Sequence, residues 1–564
     1  MKRHIALAAA TTTVLALAAC GGDGSLPGMS AAQAGTLAAC TTLASGFTFA
    51  GTTITASSVV AAGTLNNGGS PVGEHCLVTG SMNRRTSAVD GQTYAIGFEM
   101  RLPRDWNGRF LYQANGGTDG VVSQAVGNFS GGGMLRHGLQ QGFAVISSDA
   151  GHNAAQNPLF GLDPQARLDY GYQAVGTLTP MAKALVKAAY GRAPDRSYIG
   201  GTSNGGRHTL VAAARYAADY DGFVAVSPGF NLPKAAVAQL YGAQQWAAVA
   251  TDKTNLETAL PQTERVLIAN AILAKCDALD GIADGLVQDV EACRAAFDLA
   301  RDVPTCTGSR DGTCLSAAQK TSIANVFAGA RNSAGDALYS RWPFDPGISQ
   351  TGWADWKFRN SVGNARDPVA VAFIFSSPPE SASIIADTLG YALKFNFDTD
   401  APKIFATTAT YTESAMSFMT PPNPTQLDTL RNRGAKMIVA QGNSDGVFSV
   451  DDTAAWYDAL DRRYNGAAAE FVRFFRVPGM GHSRGGPATD QFDALAAIVA
   501  WVEKGEAPQA LLASARGAGN PGGVNADVPA GWAANRTRPL CPYPYVARYV
   551  SGDKEQASSF SCQR

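Results

Sequence analysis

Apolar and polar positions along the chain follow two different periods, in an order that predicts alternating strands and helices. In Thr93–Leu102, Tyr94, Ile96, Phe98, Met100 and Leu102 alternate with other residues, the period of a strand with one face buried. Asn107-Gly108 is a turn signal, and Gly108–Gln113 continues as a second strand. Gly142–Ser147 is a third. Val175, Leu178, Ala182, Leu185 and Ala189 then recur at helical spacing, with Pro180 expected to start or kink that helix. A strand over Arg196–Ile199, a helix over Gly205–Tyr216 and a strand over Gly222–Val226 follow. Beyond Gly229 the rhythm stops until about residue 425, in a stretch holding four cysteines, an Asp-rich loop and an aromatic cluster. It resumes with strand Lys436–Ala440, an amphipathic helix over Asp452–Tyr464, strand Glu470–Val477 and helix Phe492–Glu503. Strands alternating with helices imply an α/β class with a mainly parallel sheet covered on both faces. The expected organisation is one such domain, 31–229 and 426–564, split by an inserted lid over 230–425.

With 45% hydrophobic and 16% charged residues the chain can bury a core, which excludes wholesale disorder. Its 45 basic and 46 acidic side chains nearly cancel, leaving no field for gripping nucleic acid. The start is Met1-Lys2-Arg3-His4, an apolar run Ile5–Ala19, then Cys20, the pattern of an export signal rather than a membrane span. Leu17-Ala18-Ala19-Cys20 resembles a bacterial lipobox. The expectation is a signal over 1–19, a lipid on Cys20, a flexible tether over 20–30, and an outer-membrane lipoprotein facing the periplasm or cell surface. An ordinary signal peptide that happens to contain a cysteine is the alternative. Nine cysteines minus Cys20 leave eight, an even number suited to an oxidising compartment. Their spacing suggests the local pairs Cys40 with Cys76, Cys276 with Cys293, Cys306 with Cys314, and Cys541 with Cys562. No C-x-x-C pair occurs, which argues against zinc.

Gly201-Thr202-Ser203-Asn204-Gly205 fits G-x-S-x-G between a predicted strand and a predicted helix, the setting of a nucleophile elbow. A serine needs a base, and six histidines are available: His4, His75, His137, His152, His208 and His482. His208 lies on the helix after Ser203, directed away from its hydroxyl. On an α/β-hydrolase fold the order serine, acid, histidine leaves His482, in a Gly-rich loop after the last strong strand. The acid belongs after the preceding strand, where Asp445 follows a glycine turn; Asp451 and Asp452 are rivals. In this arrangement His482 takes the Ser203 proton while Asp445 holds the imidazole, so activity is expected to rise with pH as His482 gives up its proton. The oxyanion would be bound by the amide of Asn204 and by one from the Gly-rich loop after a strand, Asn115 or Gly116.

With these residues placed, the chain resembles the tannase and feruloyl esterase family. The resemblance rests on HCLVTG (75–80), NGRF…GG (107–117), FGLDPQARLDYGY (160–172), GTSNGGR (201–207), CDALDGIADG (276–285), VPGMGH (477–482) and RTRPLCPYP (536–544). It implies an α/β-hydrolase fold with a large lid carrying a structural calcium. Implied substrates are small esters of aromatic acids: gallates, hydroxycinnamates or terephthalate monoesters. The family usually places a disulfide-bonded cysteine just before the nucleophile and another just after the histidine. Thr202 and Ser483 stand there instead, and a contact between their hydroxyls is expected to replace the bond.

The Asp-rich loop fails as an EF-hand, since Gln288 stands where the closing glutamate belongs. Three carboxylates so close repel unless a cation lies between them. By resemblance, Asp277, Asp280 and Asp284 supply side-chain oxygens to Ca2+, and Ile282 and Leu286 supply carbonyls. Trp356 and Phe448 match positions that sandwich an aromatic ring. Family members that cleave terephthalate monoesters clamp the free carboxylate with a lid arginine; Arg366 is near that place but out of register. Gln441, where those members have histidine, also points away from that substrate. The leading expectation is therefore a serine ester hydrolase for feruloyl or galloyl esters, with a terephthalate monoester as the lesser option. The alternatives are an inactive, calcium-stabilised ligand-binding lipoprotein and a serine peptidase on the same fold. The expected partner is a small aromatic ester, with no nucleic acid, membrane contact only through the lipid anchor, and a monomeric chain.

Overall fold

The computed structural model describes residues 28–67, 70–129, 131–363 and 366–564, so the leader, Cys20 and most of the tether lie outside the described residues. Among the described residues nine strands form the main sheet: β1 (Thr52–Val60), β2 (His75–Thr86), β3 (Thr93–Pro103), β4 (Arg109–Ala114), β5 (Ala144–Ser148), β6 (Arg196–Thr202), β7 (Gly222–Val226), β8 (Lys436–Gly442) and β9 (Val472–Val477). Their spatial order is β9-β8-β7-β6-β4-β5-β3-β2-β1. From β9 to β5 every pairing is parallel, and from β5 to β1 every pairing is antiparallel. This is the α/β-hydrolase arrangement. Every residue of β7 and β8 is buried, as parallel strands covered on both faces require. β1 and β2 precede the segment where sequence periodicity becomes regular, and their half-exposed pattern is typical of an antiparallel sheet edge.

Helices α1 (Ala174–Tyr190) and α2 (Asn204–Arg215) cover the sheet near its centre. Val175, Leu178, Ala182, Leu185 and Ala189 form the buried stripe of α1. Pro180 neither starts nor ends this helix. It lies on the exposed side, where the acceptor that loses its N–H partner can turn to water. α1 ends at Gly191, whose φ of 76° closes the helix in the left-handed region.

Between β7 and β8 the described residues add no strand to the main sheet. They build α3 (Leu232–Ala247), α4 (Gln262–Cys276), α5 (Ala317–Ala328) and a series of short turns. Edge-on and stacked contacts among Trp246, Phe327, Phe344, Trp353 and Phe358 hold this lid together. Helices α6 (Val450–Arg463) and α7 (Ala494–Lys504) complete the sheet's cover. Four disulfides join Cys40–Cys76, Cys276–Cys293, Cys306–Cys314 and Cys541–Cys562, the pairs their spacing suggests. Such bonds belong to an oxidising compartment. Among the described residues, no helix is long and apolar enough to cross a membrane.

Candidate active site

Four loops at the carboxyl ends of β4, β6, β8 and β9 meet above the sheet. Ser203 follows β6 in a sharp turn, with φ 63° and ψ −124°. A non-glycine residue held there is strained by about 1–3 kcal/mol and persists only where its surroundings fix it. The fixing groups are visible. The Ser203 amide donates to the Val226 carbonyl at 2.9 Å. A Cβ on Gly201 would lie 2.4 Å from the Gly205 carbonyl carbon, and one on Gly205 would lie 2.2 Å from the Ala114 oxygen. Both glycines of the motif are therefore demanded by close backbone approach.

Ser203 Oγ lies 2.8 Å from His482 Nε2. His482 Nδ1 is 3.0 Å from each carboxylate oxygen of Asp445. Asp445 is buried, and its Oδ1 also accepts from the amides of Val447 and Phe448 at 2.9 and 3.0 Å. The rivals are engaged elsewhere: Asp451 with Arg294, Arg341 and Arg476, and Asp452 with Asn231. This alignment of hydroxyl, imidazole and carboxylate is what activation of a serine nucleophile needs.

Asn204 opens α2, where amides have no acceptor within the helix, so its N–H is available beside the nucleophile. On the opposite loop, a Cβ on Gly116 would lie 3.7 Å from Ser203 Cβ, so Gly116 passes close to the hydroxyl. The Asn115 side chain turns away to Ser147 Oγ and the Ser148 carbonyl. Gly117 lines the pocket with Ser203 and Asn204, and its carbonyl accepts from the Tyr170 hydroxyl at 3.3 Å.

Trp356 and Phe448 meet the His482 ring edge-on, with centroids 5.1 and 5.3 Å away. Arg366, out of register in sequence, is brought into the same pocket, and its guanidinium lies 4.3 Å from the Trp356 ring centroid. Gln441 is a correction. It is fully buried, donates to the Phe448 carbonyl at 2.9 Å and accepts from Thr453 Oγ1 at 2.6 Å, so it lies behind Phe448 and outside the pocket lining. The expected contact between Thr202 and Ser483 is a second correction. The Thr202 hydroxyl donates to the Phe129 carbonyl, while the Ser483 amide donates to Ser227 Oγ. The Thr202 hydroxyl is thus held by the Phe129 carbonyl and not by Ser483.

Several groups near the site escape sequence reading. His208 and Asp119 form a second buried imidazole–carboxylate pair at 2.8 Å, and Asp119 also accepts from Asn204 Nδ2. Burial pushes His208 well below and Asp119 well above their ordinary ranges, which favours the neutral forms. The only sequence cue was an acidic residue inside the Gly-rich loop 116–120. From the lid, Gln239 on α3 donates to the carbonyls of Gly446 and Val447, next to Asp445. Lys357 is buried against the Trp342 ring and reaches Gln239 Oε1 at 3.4 Å. Burial lowers Lys357 to about 7, although Asp445 and Asp367 pull the other way.

In the lid loop, Asp277 accepts from the amides of Asp284 and Gly285. Asp280 accepts from Ile282 at Oδ1, while its Oδ2 is buried with no partner. Asp284 binds the Leu286 amide and pairs with buried Arg538. Among the described residues, no three carboxylate, imidazole or thiol side chains stand together as a ready-made metal cluster. The donor set is all oxygen, and the orphaned Asp280 oxygen leaves one ligand free, which fits a hard cation.

Residues 76–563 match the family model described as tannase and feruloyl esterase. The chain belongs to the tannase and feruloyl esterase family. It is therefore a carboxylic ester hydrolase. This esterase is 41% identical to the mono(2-hydroxyethyl) terephthalate hydrolase of Piscinibacter sakaiensis, over 87% of this chain and 85% of that protein. It is 27% identical to a probable feruloyl esterase B-2 of Aspergillus fumigatus, over 86% and 87% of the two chains. The crystal structure of feruloyl esterase B from Aspergillus oryzae superposes on the esterase with a TM-score of 0.72 at 23% identity, covering 93% of this chain and 99% of that one. The tannin acyl hydrolase of Aspergillus niger gives 0.65 at 20% identity, over 92% and 93%. These two likenesses support the fold.

Proposed function

We propose that the esterase hydrolyses small esters of aromatic carboxylic acids through an acyl-enzyme on Ser203. The observation that carries this reading is the 2.8 Å contact of Ser203 Oγ with His482 Nε2, directly beside Trp356 and Phe448. The hydroxyl attacks the ester carbonyl and its proton passes to His482 Nε2, while Asp445 balances the imidazolium. The tetrahedral oxyanion takes hydrogen bonds from the amide of Asn204 and from the loop 116–117, each contributing about 3–4 kcal/mol to lowering the barrier. His482 then protonates the departing alcohol, and water repeats the sequence to free the acid. Apolar walls at Trp356, Phe448 and Phe375 suit an aromatic acyl ring. Arg366 supplies a cation for a polar or anionic group on that ring. It brings terephthalate monoesters level with feruloyl and galloyl esters, in keeping with what the Piscinibacter relative's name says it cleaves.

Purified protein assayed beside Ser203→Ala on methyl gallate, methyl ferulate and mono(2-hydroxyethyl) terephthalate tests this. Serine-dependent release of one of the acids is expected; no turnover of any would contradict it.

The loop from Asp277 to Leu286 supports a structural calcium, with Asp277, Asp280 and Asp284 as side-chain ligands and Ile282 and Leu286 through carbonyls. Burial and the neighbouring Asp284 and Asp277 push Asp280 up to about 7, the cost a bound cation would remove. A chelator should lower the Tm of protein as purified, and an unchanged Tm would argue against the ion. The lipobox supports an anchor on Cys20; Cys20→Ala should release the protein from membranes.

A further inference from the structure

Where the acid loop and the histidine loop face each other, the lid inserts one carboxylate, Asp345, only 2% exposed. Its Oδ1 accepts from Ser444 Oγ at 2.5 Å and from the amide of Gly347 at 3.0 Å. Its Oδ2 accepts from the amide of Gly479 at 3.2 Å. Ser444 immediately precedes Asp445, and Gly479 lies three residues before His482. One side chain thus holds both loops, with a different oxygen on each. The loops also touch directly, the Ser444 amide donating to the Met480 carbonyl at 3.0 Å. The fit around the carboxylate is tight: a Cβ on Gly347 would lie 2.4 Å from Ser444 Oγ and 2.7 Å from the Gly479 oxygen. Gln350, at the end of the same turn, packs against Gly481, whose Cβ would meet its amide at 2.4 Å.

A buried carboxylate is costly to desolvate, and burial raises the Asp345 pKa while Ser444 and the two amides oppose it. A neutral, well-packed side chain would serve stability alone at lower cost. What the carboxylate adds is two fixed acceptors that set the separation of Asp445 and His482. Displacing a reacting group by about 1 Å can cost on the order of 100-fold in rate.

We propose that Asp345 is a positioning residue, a lid-borne staple that holds the acid and the histidine of the triad in register. The proposal rests on the reading of Ser203, His482 and Asp445 as that triad. Asp345→Ala should lower kcat by about 10–100-fold with KM within about threefold. It should also move the acid limb of the kcat/KM profile to lower pH, because a slackened acid loop stabilises the imidazolium less. Ser444→Ala removes only the acid-loop bond and should give a smaller change in the same direction. Asp345→Asn, which keeps one acceptor, should recover part of the loss. Identical kcat and an unmoved acid limb in folded Asp345→Ala would overturn the proposal. If that variant does not fold, Ser444→Ala decides, and wild-type kcat with a wild-type limb there overturns it equally. Ser203→Ala in the same assay separates the two readings. Full activity in it defeats the triad itself, whereas a dead Ser203→Ala beside wild-type Asp345 and Ser444 variants defeats only the staple.

Discussion

On the sheet side of the site, Ser203, Asp445 and His482 each lie within a few residues of a parallel strand's end. On the lid side, short turns between residues 345 and 366 bring Trp356 and Arg366 to the pocket at Ser203, and Asp345 and Lys357 to a second cavity beside Ser444 and Asp445. The sheet side is held by largely buried parallel strands, each hydrogen-bonded to its neighbours. The lid side is held by side-chain contacts with the loops it covers: Gln239 on Gly446 and Val447, and Asp345 on Ser444 and Gly479. On the proposed function, chemistry sits on the sheet, while selection and alignment come from the lid. Substitutions on the two sides should fail in different ways.

The sheet side should show the largest effect. Ser203→Ala is expected to lower kcat by at least about 10⁴-fold with the fold intact, as loss of the nucleophile does in serine hydrolases. Circular dichroism and Tm beside the kinetics check that the loss is chemical. On the lid side, Arg366→Ala should act through binding. Loss of a charged hydrogen bond costs about 1.5–3 kcal/mol, so kcat/KM for a substrate with a free carboxylate should fall by about 10–100-fold. Methyl ferulate, which has no carboxylate, should change far less. An equal loss on both esters would mean that Arg366 supports the pocket without reading the substrate.

The smallest effect concerns stability. Lys357 is nearly inaccessible, and burial lowers it from the usual lysine range to about 7. Between that value and the unfolded-state value the unfolded chain binds more protons, so this group makes the fold less stable as pH falls from about 10 towards 7. Lys357→Met should therefore raise stability at neutral pH by about 1–4 kcal/mol and flatten the rise of Tm between pH 7 and 9 relative to wild type. A lower Tm at pH 7 would show that the contacts with Trp342 and Gln239 outweigh the desolvation.

The two sides also differ in how far the sequence discloses them. Ser203, Asp445 and His482 each follow a strand with strong periodicity and stand among glycines that mark sharp turns, so local pattern singled out the three residues that the fold brings within hydrogen-bond distance. The four disulfides were legible because partners lie close along the chain. Lid contacts were not. Asp345 and Lys357 look like ordinary surface charges in the sequence, and only the folded lid shows them buried. Arg366 looked out of register because register in a series of short, irregular turns cannot be counted along a helix or strand. Gln441 misled for the opposite reason: its place beside the acid loop is close to substrate in sequence, yet β8 is buried on both faces and turns that side chain inward. Thr202, at the end of β6, likewise turns its hydroxyl to the Phe129 carbonyl, and only the backbone amide of Ser483 is tied, to Ser227 Oγ.

The most direct test of the account is to trap the intermediate. The esterase would be mixed with a 4-nitrophenyl ester of ferulic acid, quenched in acid within the burst phase, and measured by intact and peptide mass spectrometry. One feruloyl adduct is expected on the peptide carrying Ser203, disappearing as free acid accumulates and absent in Ser203→Ala. Turnover with no adduct during the burst, or an adduct on another residue, would contradict it.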